Sequence, residues 1–327
     1  MYKVKKILTL SIISASLMMA GCSEASNPGV EKSVDAQQAT KKTTEQETYE
    51  EIIAEAMVNP TVVEIGSLDD LFHLFELHQY DSNSWANGNR EVPRISFDEI
   101  SESWKVNSAK MTVQQKKQIF FRLITPLILI SNERILLERE EVESSSLDSQ
   151  NLKEIALKYH VIKSDKDVMT EDMRTALLMQ VDIIPPSLAL AQAAEESGWG
   201  TSRFTSEGNA LFGQWDFSGN GMTPKQQRKE LGDYGLARFD SPLASVEGYM
   251  KNINTTGAYQ RLRVLRAQLR ADGKDITGME IAGTLDKYSE RGQAYIDGLR
   301  EMISYNKLQD VDEAFLSTEK LLHLVKK

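Results

Sequence analysis

The sequence predicts a mostly α fold of the α+β type. Three observations carry that expectation. Apolar residues recur at helical spacing through most of the chain beyond residue 50. Glycines and turn formers crowd into one stretch, residues 207–240. Helical patterning then resumes from Pro242. A helical body interrupted once by a small β-lobe, and preceded by a helical N-terminal region, satisfies all three.

The chain has 327 residues, of which 41% are hydrophobic and 26% charged, a balance that excludes collagen-like, disordered and polytopic membrane classes. The 48 acidic residues exceed the 38 basic ones, and a net charge of -10 argues against general nucleic-acid binding. One cysteine excludes an internal disulfide and a Cys-based metal cluster. The histidines at 73, 78, 160 and 323 have no HExxH spacing, so neither metal nor cofactor is expected.

Residues 1–21 read as a secretory signal. Lys3, Lys5 and Lys6 supply the positive start, Ile7 to Met19 the short apolar core, and Ala20-Gly21 the small residues at the cleavage site. The apolar run is too short to span a bilayer. Cys22 follows directly and resembles the lipidated cysteine of a bacterial lipobox, with Met18 where leucine is usual. That resemblance implies lipid attachment at Cys22, a membrane as partner, and a place on the periplasmic face of the envelope. Ser23, where aspartate would favour the inner membrane, implies the outer one. Residues 22–49 are mostly polar, with no aromatic from Ser23 to Thr48, and read as a flexible tether.

Residues 50–145 read as the helical N-terminal region. Its clearest element is Gln114 to Val142, where Ile119, Phe120, Leu123, Leu127 and Ile130 mark a buried core helix that Pro126 should kink. Leu147 to Tyr159 forms the next helix, with Asp148 as cap, and Thr170 caps a helix to Val181. Pro185-Pro186 starts a helix through Ser197 that Gly198 stops. Leu211 to Phe217 and Tyr234 to Phe239 are the strand candidates of the β-lobe. Helices follow at about 242–253, 256–271, 276–286 and 292–306, and the closing segment, 307–327, reads as a C-terminal helix.

The helix over 186–197 is apolar around most of its circumference, yet ends in Glu195-Glu196, where the helix dipole disfavours acids. Adjacent residues on a buried helix cannot both escape to solvent easily. One is expected to face a cleft, and a carboxyl at an apolar cleft edge is raised in pKa and suited to general-acid work.

Ala193-Ala-Glu-Glu-Ser-Gly-Trp-Gly200, Ser202-Arg-Phe204, Glu207-Gly-Asn209 and Leu211-Phe-Gly213, in that order, resemble the glucosaminidase domain of glycoside hydrolase family 73. Asn252-Ile-Asn254, Ala258-Tyr-Gln260 and Tyr288-Ser-Glu-Arg-Gly292 followed by Tyr295 resemble the Bax-type branch of that family. The domain likeness covers about residues 146–306. It implies a lysozyme-like fold with a cleft between the helical and β-lobes, and peptidoglycan glycan strands as substrate. It also implies cleavage of the β-1,4 bond after N-acetylglucosamine, with Glu196 as the general acid. The second carboxylate falls among Glu230, Asp233 and Asp216, with Glu230 preferred. A tyrosine from the later helices is implied as well, and Tyr288 and Tyr295 both fit. Trp199, Phe212, Trp215 and Tyr259 are the sugar-stacking candidates, and Asn209 could hold its loop onto the catalytic helix. Two other functions fit the same features: a lytic transglycosylase, and a non-enzymatic wall-binding lipoprotein.

Overall fold

A computed structural model describes residues 56–225 and 234–327. The β-branched run Thr61–Ile65 forms β1. Helix α1 spans Leu68–Leu77, started by a reciprocal cap between Ser67 and Asp70. Helix α2 spans Ser82–Ala86, capped by the Asp81 carboxylate. Strands β2 (Glu91–Val92) and β3 (Ile95–Phe97) and helix α3 (Glu102–Ser108) follow. The N-terminal region is therefore mixed, and not purely helical as expected.

Helix α4 spans Val113–Ser144, begins at a Thr112–Gln115 capping box, and buries Ile119, Ile124, Leu127, Ile128 and Ile130. It continues through Pro126, which is buried. Helix α5 covers Gln150–Lys158 and α6 covers Glu171–Gln180. Thr170 caps α6 as expected. Ser149 caps α5, while the Asp148 carboxylate instead takes the Ser146 hydroxyl.

Helix α7, Pro186–Ser197, runs through the centre. Every residue from Leu188 to Ala194 is buried, and Gly198 ends the helix in the left-handed conformation (φ 57°) that a side chain would resist. Its entry is fixed by a buried ionic knot. Asp182 meets Arg266, Arg270 and Arg139, and the Asn132 side chain both donates to the Ile184 carbonyl and accepts from the Ile184 amide. Burial pushes the Asp182 carboxyl up, but the Arg266 and Arg270 guanidinium groups more than offset it and hold it below its ordinary value. A knot of this kind fixes geometry more than it adds stability, because desolvation opposes the attraction.

Helix α8 is Arg203–Gly208. Strands β4 (Trp215–Asp216) and β5 (Gly235–Leu236) pair antiparallel and form the β-lobe, each within its expected stretch. Helices α9 (Pro242–Thr255), α10 (Gln260–Ala271), α11 (Gly278–Ile281) and α12 (Gln293–Tyr305) complete the helical body. Helix α7 packs against α4, α11 and α12.

The C-terminal segment corrects the expectation of a helix over 307–327. A 3-10 turn, Leu308–Glu313, leads into β6 (Phe315–Leu316) and β7 (Leu322–Lys326). Strand β7 lies between β1 and β3, parallel to both, and β6 pairs with β2. The physical reason is a two-residue period: Leu322 and Leu324 are buried while His323 and Val325 are not. Short alternating runs of this kind satisfy a helix and a strand about equally until their partner is known.

Candidate active site

The site forms where the last turn of α7 meets the start of α12 and the loop before β4. Gln192 and Glu196 lie four residues apart on one face of α7. Tyr295, on the first turn of α12, donates its hydroxyl to Glu196 Oε1 at 3.1 Å. It accepts in turn from Gln192 Nε2 at 3.0 Å, and Gln192 Oε1 accepts from the Tyr249 hydroxyl of α9 at 2.5 Å. A continuous chain of three hydrogen bonds therefore runs from α9 through the core to the Glu196 carboxyl. Gln192, Tyr249 and Tyr295 are all nearly inaccessible to water, so each orientation is fixed by packing as well as bonding.

Glu196 is open to solvent on one side yet walled by protein around the rest of its carboxyl. Burial raises its pKa above the ordinary value, and the Tyr295 hydroxyl opposes that rise by stabilising the carboxylate. Glu195 adds to the rise and Arg291 subtracts from it. These last two are themselves paired, Arg291 to Glu195 at 2.7 Å, on the exposed side. Glu195 therefore turns to Arg291, while Glu196 turns to Tyr295 and Gly213. Gly213 (φ 59°) walls the other oxygen. A side-chain carbon built there would lie 3.7 Å from Glu196 Oε2.

Tyr288 stacks on Tyr295 at 5.4 Å between ring centres, and Tyr259 meets Tyr288 at 5.9 Å. The Tyr288 hydroxyl donates to the Phe212 carbonyl at 3.4 Å. Burial pushes the phenols of Tyr259, Tyr288 and Tyr295 up, so all three are neutral donors around Glu196.

The structure thus groups Glu196, Tyr288, Tyr295 and Tyr259. It separates the other expected contacts. Phe212 is buried and stacks on Tyr249 at 3.9 Å, so it supports the fold and offers no face to a sugar. Trp199 packs edge-on against Phe120 and Phe121 of α4, under the Lys117 amine. Its backbone carbonyl takes the Trp104 indole N–H. It clamps α7 to α4. Asn209 does not bond α7 at all. It donates to the carbonyls of Asp98 and Phe239 and accepts from the Ile100 amide, fastening α8 to the N-terminal region. Trp215 stays 52% exposed, stacked on Tyr234 at 5.0 Å and flanked by Phe217, an open aromatic platform on the β-lobe.

Asp216 turns inward on its own loop, accepting from the Ser218 amide and hydroxyl, which hold its carboxyl below the ordinary value. Glu230, Asp233 and Cys22 lie outside the described residues. Among the described residues, no cluster of His, Cys, Asp and Glu could hold a metal ion. No described helix is long and apolar enough to cross a membrane.

The family model described as mannosyl-glycoprotein endo-beta-N-acetylglucosaminidase matches residues 175–308. Protein bax of Escherichia coli (strain K12) is 34% identical over 199 residues, 59% of this chain and 70% of its own length. The chain belongs to the glucosaminidase-domain family. No solved structure matches it. The glucosaminidase match, which supports a glycoside hydrolase, starts within α6 and takes in α7 to α12, β4 and β5, hence Glu196, Tyr259, Tyr288 and Tyr295.

Sequence reasoning missed Gln192 and Tyr249 as site residues. A signal for Gln192 was present: it is the lone amide on an otherwise apolar stretch of α7, four residues before Glu196. Tyr249 carried no signal of its own, because its role depends on α9 folding back across α7.

Proposed function

We propose that the protein cleaves the β-1,4 bond after N-acetylglucosamine in peptidoglycan, with Glu196 as the general acid. The observation that carries this reading is the Glu196 carboxyl itself: its pKa raised by burial, one side open to solvent, and the group aimed by a buried hydrogen-bond chain. Protonated Glu196 gives its proton to the bridging glycosidic oxygen as the bond to the sugar carbon breaks. The sugar carries the resulting positive charge as an oxocarbenium-like centre. Water, or first the acetamido oxygen of the same sugar, then closes on that carbon. Glu196, now a carboxylate, is favoured by the Tyr295 hydroxyl, so the hydrogen bond strengthens as the proton leaves.

We assign the second carboxylate to Glu230, with Asp233 next, because Asp216 is committed to its own turn. Trp215 is the platform on which a sugar ring stacks, supported by its exposure.

Digestion of purified sacculi tests the reading. Glu196→Gln keeps the shape and removes the acid, and is expected to lower muropeptide release by about 10²–10⁴-fold. Unchanged release would end the proposal. Products with a reducing N-acetylglucosamine end fit hydrolysis after that sugar, whereas an anhydro end points to a lytic transglycosylase. We also propose that lipid on Cys22 holds the chain at the envelope. Cys22→Ser should then move it from the membrane pellet to the soluble fraction.

A further inference from the structure

Arg122 sits in the middle of the apolar run of α4, where sequence offers no reason for a cation. It is only 8% exposed, and no carboxylate among the described residues forms an ion pair with it. Its Nε has no hydrogen-bond partner. Its guanidinium lies 4.5 Å from the Tyr80 ring centre and 5.8 Å from that of Trp85. Tyr80 favours its charge most among its neighbours, through a neutral phenol that also meets it by side-chain hydrogen bonding, and Asp81 comes next but spends its carboxylate capping α2 through Asn83 and Ser84. A buried cation left this way is costly unless something completes it.

What it lines is a cavity of about 190 Å³ between α2, α4 and the 306–311 segment. Phe121, Leu308 and Val311 form apolar wall, and Ser82 and Gln118, bonded to each other, form polar rim. Lys307 stands exposed at the mouth, adding a second positive charge. Arg90 also lies over the Trp85 ring, at 4.7 Å from its centre, and is already paired with Asp310. The planar guanidinium fork matches a carboxylate, and the aromatic and aliphatic walls suit the small apolar body such a group carries.

We propose that this cavity binds the carboxylate end of a short peptide, and, on the reading of peptidoglycan as substrate, that of a stem peptide attached to the glycan in the cleft. The spacing agrees. Helix α12 joins the two neighbourhoods: Tyr295 meets Glu196, the helix ends at Tyr305 directly before Asn306 and Lys307 of the cavity lining, and ten residues of helix span about 15 Å. An extended peptide of four to five residues covers roughly that length. Phe121, in the cavity wall, also touches Trp199, just beyond the end of α7. A glycan in the cleft and a peptide carboxylate on Arg122 would thus be held at opposite ends of one helix.

The test is calorimetric titration of the full chain with the stem tetrapeptide freed from sacculi by an amidase. A synthetic copy with its carboxylates amidated, and inorganic phosphate, are the comparison probes. We expect saturable binding of the free peptide, equal in wild type and Glu196→Gln. We expect it weakened about tenfold or more by amidation and by Arg122→Met, which removes the charged fork. Ser82→Trp, at an exposed rim position, should block the mouth without touching the core, so it decides the matter if Arg122→Met does not fold. Absence of binding up to about 10 mM peptide overturns the proposal, as does equal affinity for the amidated copy or for Ser82→Trp. Displacement of the peptide by an equal concentration of phosphate overturns the carboxylate assignment. The titration uses a sugar-free ligand, so its failure is separate from any failure of glycan cleavage, which the sacculus digest reads alone.

Discussion

The chemistry of Glu196 is set by three neighbours whose effects differ in sign, and this makes the residue testable without removing it. In the proposed role of general acid it must be protonated, so kcat/KM is expected to fall as pH rises through its pKa in the free enzyme. Tyr295 favours the carboxylate, and losing that hydroxyl in Tyr295→Phe raises the pKa further. The alkaline limb of the pH profile should then move up. Glu195 disfavours the carboxylate, and Glu195→Gln also frees Arg291 to act on Glu196. Both effects lower the pKa, so the alkaline limb should move down. Limbs that move together, or do not move, would remove Glu196 from the titration that controls the rate. At this scale the sequence was partly legible. Glu196 stood out because an acid at the end of a buried helix is a misfit that physics notices. Aromatic side chains suit sugar stacking, which makes Phe212 and Trp199 sugar candidates, and an amide suits a loop-to-helix bond, which points Asn209 at α7. Composition does not say which side of a loop faces the cleft, and all three turned to the scaffold.

Among the elements, α7 was the most legible: diproline start, apolar body and left-handed glycine stop are all local signals. Its N-terminus holds a feature no local pattern showed. Asp312, from the segment expected to be helical, accepts from the Ser187 amide and hydroxyl and from the Gly278 amide. It ties α7 to α11. Burial outweighs these donors and pushes its carboxyl up to about 6. A folded-state pKa above the unfolded value means that the native state holds the proton more tightly. The contribution to stability is full below about pH 4 and is lost as pH rises through about 6. Asp312→Asn cannot ionise, so its stability should lack this slope whatever constant offset it carries. Thermal unfolding of both proteins between pH 4 and 7 reads the difference, on the order of 2 kcal/mol across that window. Parallel curves would show that Asp312 ionises as freely in the folded chain as in the unfolded one. The β-lobe strands were found where expected because turn residues bracket them. The strands β6 and β7 were not, because their stability resides in partners far away in sequence.

The whole molecule is less modular than its sequence suggests. A tether, a helical brace, a catalytic domain and a final helix would be separable parts. Instead, β2 and β3 of the first region pair with β6 and β7 of the last, and Arg94 of the first reaches the Ser317 carbonyl and Glu133 of α4. The same weave builds the cavity beside Arg122, with one wall from each end of the chain. Long-range pairing of this kind leaves no trace in a window of a dozen residues, which is why the helices of the glucosaminidase domain could be read and their frame could not.

Strand β7 gives this weave a temporal side. Its register with β1 joins residues about 260 positions apart, the costliest sort of loop to close from a disordered chain. The cost falls once the intervening helices have condensed and delivered both ends to one place. We expect the three-stranded sheet to fasten late, after those helices, so that opening it releases β1, β3 and β7 together while the helical body keeps its packing.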